Sequence, residues 1–189
     1  MEFLPLADWH KRLCSLQQSL NASVCSERER SLRCQSQKKL REMWQAYMFG
    51  WCYERAFELP PISMQMVEKE DDDCDAMFGW YSADSLVTFE IQLKELPPID
   101  LNKGGETVQG LVDKAALKYQ RSPNLVLVIF VNQSDTYENV RIPRQGLGGF
   151  WLFWFDEQGS KMFLKGCDRF RGERRVSVQS KTSIVQSLA

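Results

Sequence analysis

The sequence predicts an α/β protein, a mixed β-sheet flanked by helices with a helical extension at the N-terminus, and three stretches carry that prediction. Residues 86–96 alternate apolar and polar side chains, as a strand with two unlike faces does. Residues 125–131, LVLVIFV, are apolar at every position, which is how a strand covered on both faces reads. Between them Val108, Leu111, Val112, Ala115 and Tyr119 share one helical face. The order strand, strand, helix, buried strand implies a mixed sheet with helices packed on it.

The elements follow in order. Leu6, Trp9, Leu13, Leu16 and Leu20 recur at spacings of three and four and form one stripe of an amphipathic helix that packs on its own domain or on a partner chain. Residues 26–40 are rich in Arg, Lys, Glu and Gln and read as an exposed helix or a connector. Leu40, Trp44, Tyr47 and Trp51 then fall within a narrow helical arc, and the same arc brings Glu54 and Glu58 onto the apolar side. A carboxylate there is costly unless it is paired, hydrogen-bonded or bound to a metal. Pro60 and Pro61 end the helix.

Residues 63–67 form a short strand, 68–75 an acidic run (EKEDDDCD), 76–81 a second strand and 82–84 a hairpin turn into 86–96. Pro97 and Pro98 stop that strand, and after Gly104 and Gly105 a helix is expected over 107–119. A polar, glycine-rich loop over 132–149 leads to a last hairpin of 150–155 (FWLFWF) and 161–164. The segments are thus 1–39, the helical extension; 40–171, the α/β domain; and 172–189, a polar and loose tail.

Composition narrows the functional classes. The 189 residues are 43% hydrophobic with a net charge of -1, so no global field draws the chain to nucleic acid or membrane, and any such binding needs a local basic patch. No apolar run reaches the roughly 18 to 20 residues that span a bilayer, so no membrane partner is expected. Six scattered cysteines without a CxxC pair, and no signal-peptide pattern in the first residues, suggest reduced thiols in the cytoplasm. One histidine, His10, leaves little material for a zinc site or a Ser/His/Asp triad.

The strand 86–96 is where chemistry concentrates. Residues two apart share a face, so Thr88, Glu90, Gln92 and Lys94 point one way and Phe89, Ile91 and Leu93 the other. If this strand hairpins with 76–81, Asp75 lies near the Gln92-to-Lys94 end. Carboxylate and carbonyl oxygens suit a hard divalent ion such as Mg²⁺, which stabilises charge on a phosphate while a lysine positions or deprotonates the attacking water. Asp73 competes with Asp75 for the role, and a solvated acidic loop is the simpler reading of Asp71, Asp72 and Asp73.

This arrangement resembles the PD-(D/E)xK nuclease superfamily, the restriction-endonuclease-like fold, over residues 40–132. Asp75 stands where the family has its Pro-Asp, Gln92-Leu93-Lys94 where it has acid-x-Lys, and Glu54 where many members carry a helical acid. The predicted elements follow the family's αβββαβ core. The resemblance implies cleavage of phosphodiester bonds with Mg²⁺ or Mn²⁺ held by Asp75, Glu90, Gln92 and Glu54, and with Asp75, Glu90, Gln92 and Lys94 as the catalytic set. The sequence departs from the pattern where an amide, Gln92, replaces the second acid; its carbonyl can still bind a metal, and Glu90 supplies negative charge one repeat earlier.

A nuclease needs cations facing phosphates. Lys114 and Lys118 on the helix after the site, and Arg169 and Arg171 near the end of the domain, are the candidates, with DNA ahead of RNA as substrate. FWLFWF reads as packing instead of a stacking platform. The alternatives are a nucleic-acid-binding or protein-interaction module that kept the fold without the chemistry, and a chain whose N-terminal leucine stripe docks a protein partner or a second copy of itself.

Overall fold

The computed structural model describes residues 3–22, 32, 34–67, 74–133, 137, 139–142, 146–156, 158, 160–168 and 174–179. Its elements run β1 (Leu4–Pro5), α1 (Leu6–Ala22), a 3-10 turn (Gln35–Gln37), α2 (Lys38–Ala56), β2 (Ser63–Met66), β3 (Ala76–Ser82), β4 (Ser85–Leu96), α3 (Val108–Lys118), β5 (Ser122–Val131), β6 (Leu147–Phe155), β7 (Lys161–Asp168) and β8 (Arg174–Gln179). The eight strands form one sheet whose spatial order equals the chain order. β1 to β4 are antiparallel, β4, β5 and β6 run parallel, and β6 to β8 are antiparallel again. The mixed α/β architecture expected from the sequence is present.

Local chemistry sets the joints. The β3–β4 turn is the two-residue pair Ala83-Asp84, with Ala83 at φ 51°, the left-handed region that such tight hairpins use. A parallel neighbour cannot be reached by a hairpin, so α3 carries the chain from β4 back to the start of β5. It is started by Thr107, whose hydroxyl oxygen accepts from the Gly110 N–H at 3.0 Å. At the other end of the molecule α2 closes with Glu58 at φ 50°, just before the two prolines.

The sheet separates two cores. On one face α1 and α2 cover Phe78, Phe89, Ile91, Leu93, Val126, Val128, Trp151 and Phe153. On the other, α3 lays Val108, Val112 and Ala115 over Leu125, Leu127, Ile129, Phe150 and Leu152. β5 and β6 are therefore buried on both sides, as LVLVIFV implied for β5, and the aromatics of FWLFWF pack in both cores. Among the described residues, β3 and the first half of β4 have no helix on this second face.

Three expectations change. Leu16 is 42% exposed, and the buried stripe of α1 runs Leu6, Trp9, Leu13, Gln17. That stripe packs into the domain's own core, and β1 pairs with β2, so the first residues belong to the body of the fold and leave a partner little of the leucine stripe. Residues within the stretch read as a loose tail form β8, paired to β7; the rest of the tail lies outside the described residues. No helix among the described residues is long and apolar enough to cross a membrane.

Candidate functional site

β4 is longer than β3, and the site forms where β3 begins. Ala76 pairs with Ile91, and Asp75 extends the ladder by one step: its N–H donates to Ile91 O at 2.8 Å and its carbonyl accepts from Val67 N at 2.9 Å. Beyond this point β4 has β5 on one side and, among the described residues, no strand on the other. The Asp75 carboxylate fills part of that gap, with Oδ2 accepting from Leu93 N at 2.7 Å and, more closely still, from the Gln92 amide Nε2. Asp75 and Gln92 are thus brought together as the hairpin register predicts.

The rest of the polar face grades from open to covered. Glu90, opposite Met77, is exposed; Gln92 is 6% exposed; Lys94 is half-buried. Successive members stand about 7 Å apart along the strand. Neither Glu90 nor Lys94 has a hydrogen-bond or ion-pair partner among the described residues. Glu95, on the opposite face, is paired with Arg41 at 3.0 Å. An unpaired, half-buried lysine is the unusual one, because burial of a charge is costly until something pairs with it.

The donor set admits a divalent ion through Gln92. No group of three or more His, Cys, Asp and Glu side chains suited to a metal occurs among the described residues, so a carbonyl must contribute. A half-turn of the Gln92 amide places its oxygen where Nε2 lies, beside the Asp75 carboxylate, giving one charged and one neutral oxygen of the type hard cations take. Glu90, on the same face, adds negative charge.

The structure does not bring the other predicted residues into this group. Glu54 accepts the Ile62 N–H at 2.7 Å, closing the turn from α2 into β2. Ile62 lies five residues before Val67, the neighbour of Asp75, a separation of about 17 Å along the strand. This corrects the metal role for Glu54, whose carboxylate serves an otherwise unpaired backbone donor. Lys114 is exposed and ion-paired with Glu106. Lys118 is exposed, with its ammonium 4.6 Å from the Tyr119 ring centre and 2.9 Å from the Tyr119 hydroxyl. Arg169, Arg171 and the acidic Asp71, Asp72 and Asp73 lie outside the described residues.

Sequence reasoning missed a cleft of about 530 Å³ beside the site, lined by Val67, Cys74, Met77 and Glu90 from one side and by residues 121–125 from the other. Burial, followed by the charge of Glu90, pushes the Cys74 thiol up to about 12. Arg121 at its rim is exposed and has no partner among the described residues. The only signal for it was the polar stretch Arg121-Ser122-Pro123-Asn124 ahead of an apolar strand, which reads as an ordinary loop. Set against family models, curated proteins and solved structures, the chain matches none of them.

Proposed function

We propose that the chain is a divalent-metal-dependent nuclease of the PD-(D/E)xK type that hydrolyses phosphodiester bonds, in DNA before RNA. The observation that carries this reading is the unpaired, half-buried Lys94, two residues beyond a buried Gln92 that meets Asp75. The order α2, β2, β3, β4, α3, β5 corresponds to the family's αβββαβ core. Asp75 and the Gln92 carbonyl would hold Mg²⁺ or Mn²⁺, with the charge of Glu90 nearby, and the ion would supply a Lewis acid for the phosphate oxygens. The free thiols among the described residues fit a reducing, cytoplasmic setting.

The chain's own groups divide the remaining work. Lys94 orients the attacking water and offers positive charge to the phosphate as it gains negative charge in the transition state. Asp75 holds the Leu93 N–H, which fixes the β4 backbone under the reacting group, and in the metal-free state it also accepts from the Gln92 amide. The water oxygen bonds to phosphorus as one P–O ester bond breaks; the attacking water gives up one proton and the leaving oxygen takes one up, leaving a phosphomonoester and a hydroxyl. Lys94→Ala is expected to lower cleavage of plasmid or single-stranded DNA by about 100-fold or more, within the range for loss of one group that stabilises transition-state charge. Wild-type rates in that variant would sink the mechanism.

A second reading, a nuclease-like binding module without chemistry, is favoured by one feature: Oδ2 of Asp75 already has two donors and needs no metal to satisfy it. Calorimetric titration with Mn²⁺ separates the two. The enzyme gives a binding isotherm that Asp75→Ala abolishes; the module gives heats of dilution only.

A further inference from the structure

We propose that the cleft between Glu90 and Arg121 receives one unstacked nucleobase of the substrate strand, so that this protein acts on single-stranded or locally melted nucleic acid in preference to intact duplex. The nucleic-acid substrate is taken from the reading above; the base site and strand preference are added here.

Position is the first support. The cleft lies beside the site: Cys74 precedes Asp75, the Val67 N–H donates to the Asp75 carbonyl, and Glu90 is one side-chain repeat, about 7 Å, from Gln92. With a phosphate at Lys94, about 13 Å along β4 from Glu90, the walls are reached by the base of the adjoining nucleotide. The volume of about 530 Å³ lies within the range of sites that enclose a small organic ligand, about 300 to 1,000 Å³.

The lining is the second. Val67, Met77, Pro123 and Leu125 offer apolar walls, and apolar walls bind the faces of a base. In a duplex those faces are buried in the stack and only edges are presented, so a base must leave the stack to use them. The polar groups suit edges: Glu90 accepts from an exocyclic amine such as cytosine N4, and Arg121 donates to a ring acceptor or a flanking phosphate. A carboxylate in the cleft also disfavours filling it with phosphate alone. Both charged groups lack partners among the described residues, so neither has to break a described bond to take a ligand.

The test uses fluorescent 12-nucleotide strands of oligo-dC and oligo-dT and a mixed-sequence duplex, with anisotropy read in EDTA. Single strands are expected to bind at least tenfold tighter than duplex, Arg121→Ala to weaken single-strand binding about tenfold, and Glu90→Gln to erase a preference for dC over dT. Arg121→Glu serves as a second surface variant, with circular dichroism to verify the fold. Equal or tighter binding of the duplex, or unchanged binding in both Arg121 variants, overturns the assignment. Repeating the series with Mn²⁺ keeps the two readings apart. Equal cleavage of duplex and single strand overturns the base site and leaves the nuclease standing, whereas tight, Arg121-dependent single-strand binding without cleavage supports the base site and removes the nuclease.

Discussion

The two faces of the sheet handle polar groups in opposite ways. Under α1 and α2, Asp168 is locked into the aromatic core: its Oδ2 accepts from the Tyr53 hydroxyl at 2.6 Å and from the Trp151 indole at 2.9 Å. Across the sheet, α3 covers β5 and β6 and stops short of β3, and Glu90 and Lys94 stand beside that gap without described partners. Both faces carry a carboxylate held by two donors, Asp168 on one and Asp75 on the other. Asp75 lies beside charges on the neighbouring strand, Glu90 and Lys94, that have no described partners, and this contrast separates a half-buried acid held by core donors from one available to a ligand.

The largest effect that tests the contrast is on the covered face. Asp168→Ala leaves a phenol and an indole donor facing an apolar core, each worth about 1–3 kcal/mol when stranded. Urea unfolding should show a loss of about 2–6 kcal/mol for the two donors together, with or without metal. A loss that grows in Mn²⁺, because only the protein that keeps Asp168 gains stability from the ion, would mean that Asp168 is also a ligand group, and the distinction between the faces would fail.

Gln92→Glu should act in the opposite sense in the two conditions. Without metal, the Asp75 carboxylate loses its amide donor and gains a like charge, costing about 1 kcal/mol or more. With Mn²⁺, the second carboxylate strengthens the donor set, and ligand binding to the folded state alone raises the melting temperature. A melting temperature indifferent to metal in this variant removes the ion from the site.

The smallest effect lies in alkaline solution. Burial on the α2 side pushes the Cys52 thiol from its usual 9.0 up to about 12. Below pH 9 both folded and unfolded chains keep the proton; between pH 9 and about 12 the unfolded chain releases it while the folded chain holds it, so stability falls as pH rises through that window. Cys52→Ala should flatten this part of the decline, measured as the change in urea midpoint from pH 8 to pH 10. An equal slope in both proteins would place the alkaline sensitivity elsewhere.

How far the sequence could be read depended on whether the relevant pattern was local. β4, α3 and β5 were legible because their periodicities are set by what each face touches. The neighbourhood of Asp75 and Gln92 was legible because a two-residue hairpin lets register be counted. Glu54 was correctly expected near the core side, but periodicity cannot name what a side chain meets, and there it meets the Ile62 amide. Gln17 replaced Leu16 because the helix presents a slightly rotated stripe, and an amide can be buried where one end finds a partner, here Asn21 at 3.2 Å. β8, RRVSVQ, is exposed at alternate positions and exists because β7 offers an edge to pair with. Arg121 reaches the cleft through a parallel pairing with residues some thirty positions earlier, and no local pattern encodes that.

The sheet's order has a kinetic meaning. Every strand lies beside the strand made just before it, so none has to be inserted between two that already pair. A chain emerging from its N-terminus can add strands to one growing edge, with local hairpins early and the parallel steps from β4 to β6 demanding the longest loop closures. The slowest of these steps completes the half of the molecule that walls the cleft, so a chain halted after β4 already holds Asp75 and Gln92 but has no pocket beside them.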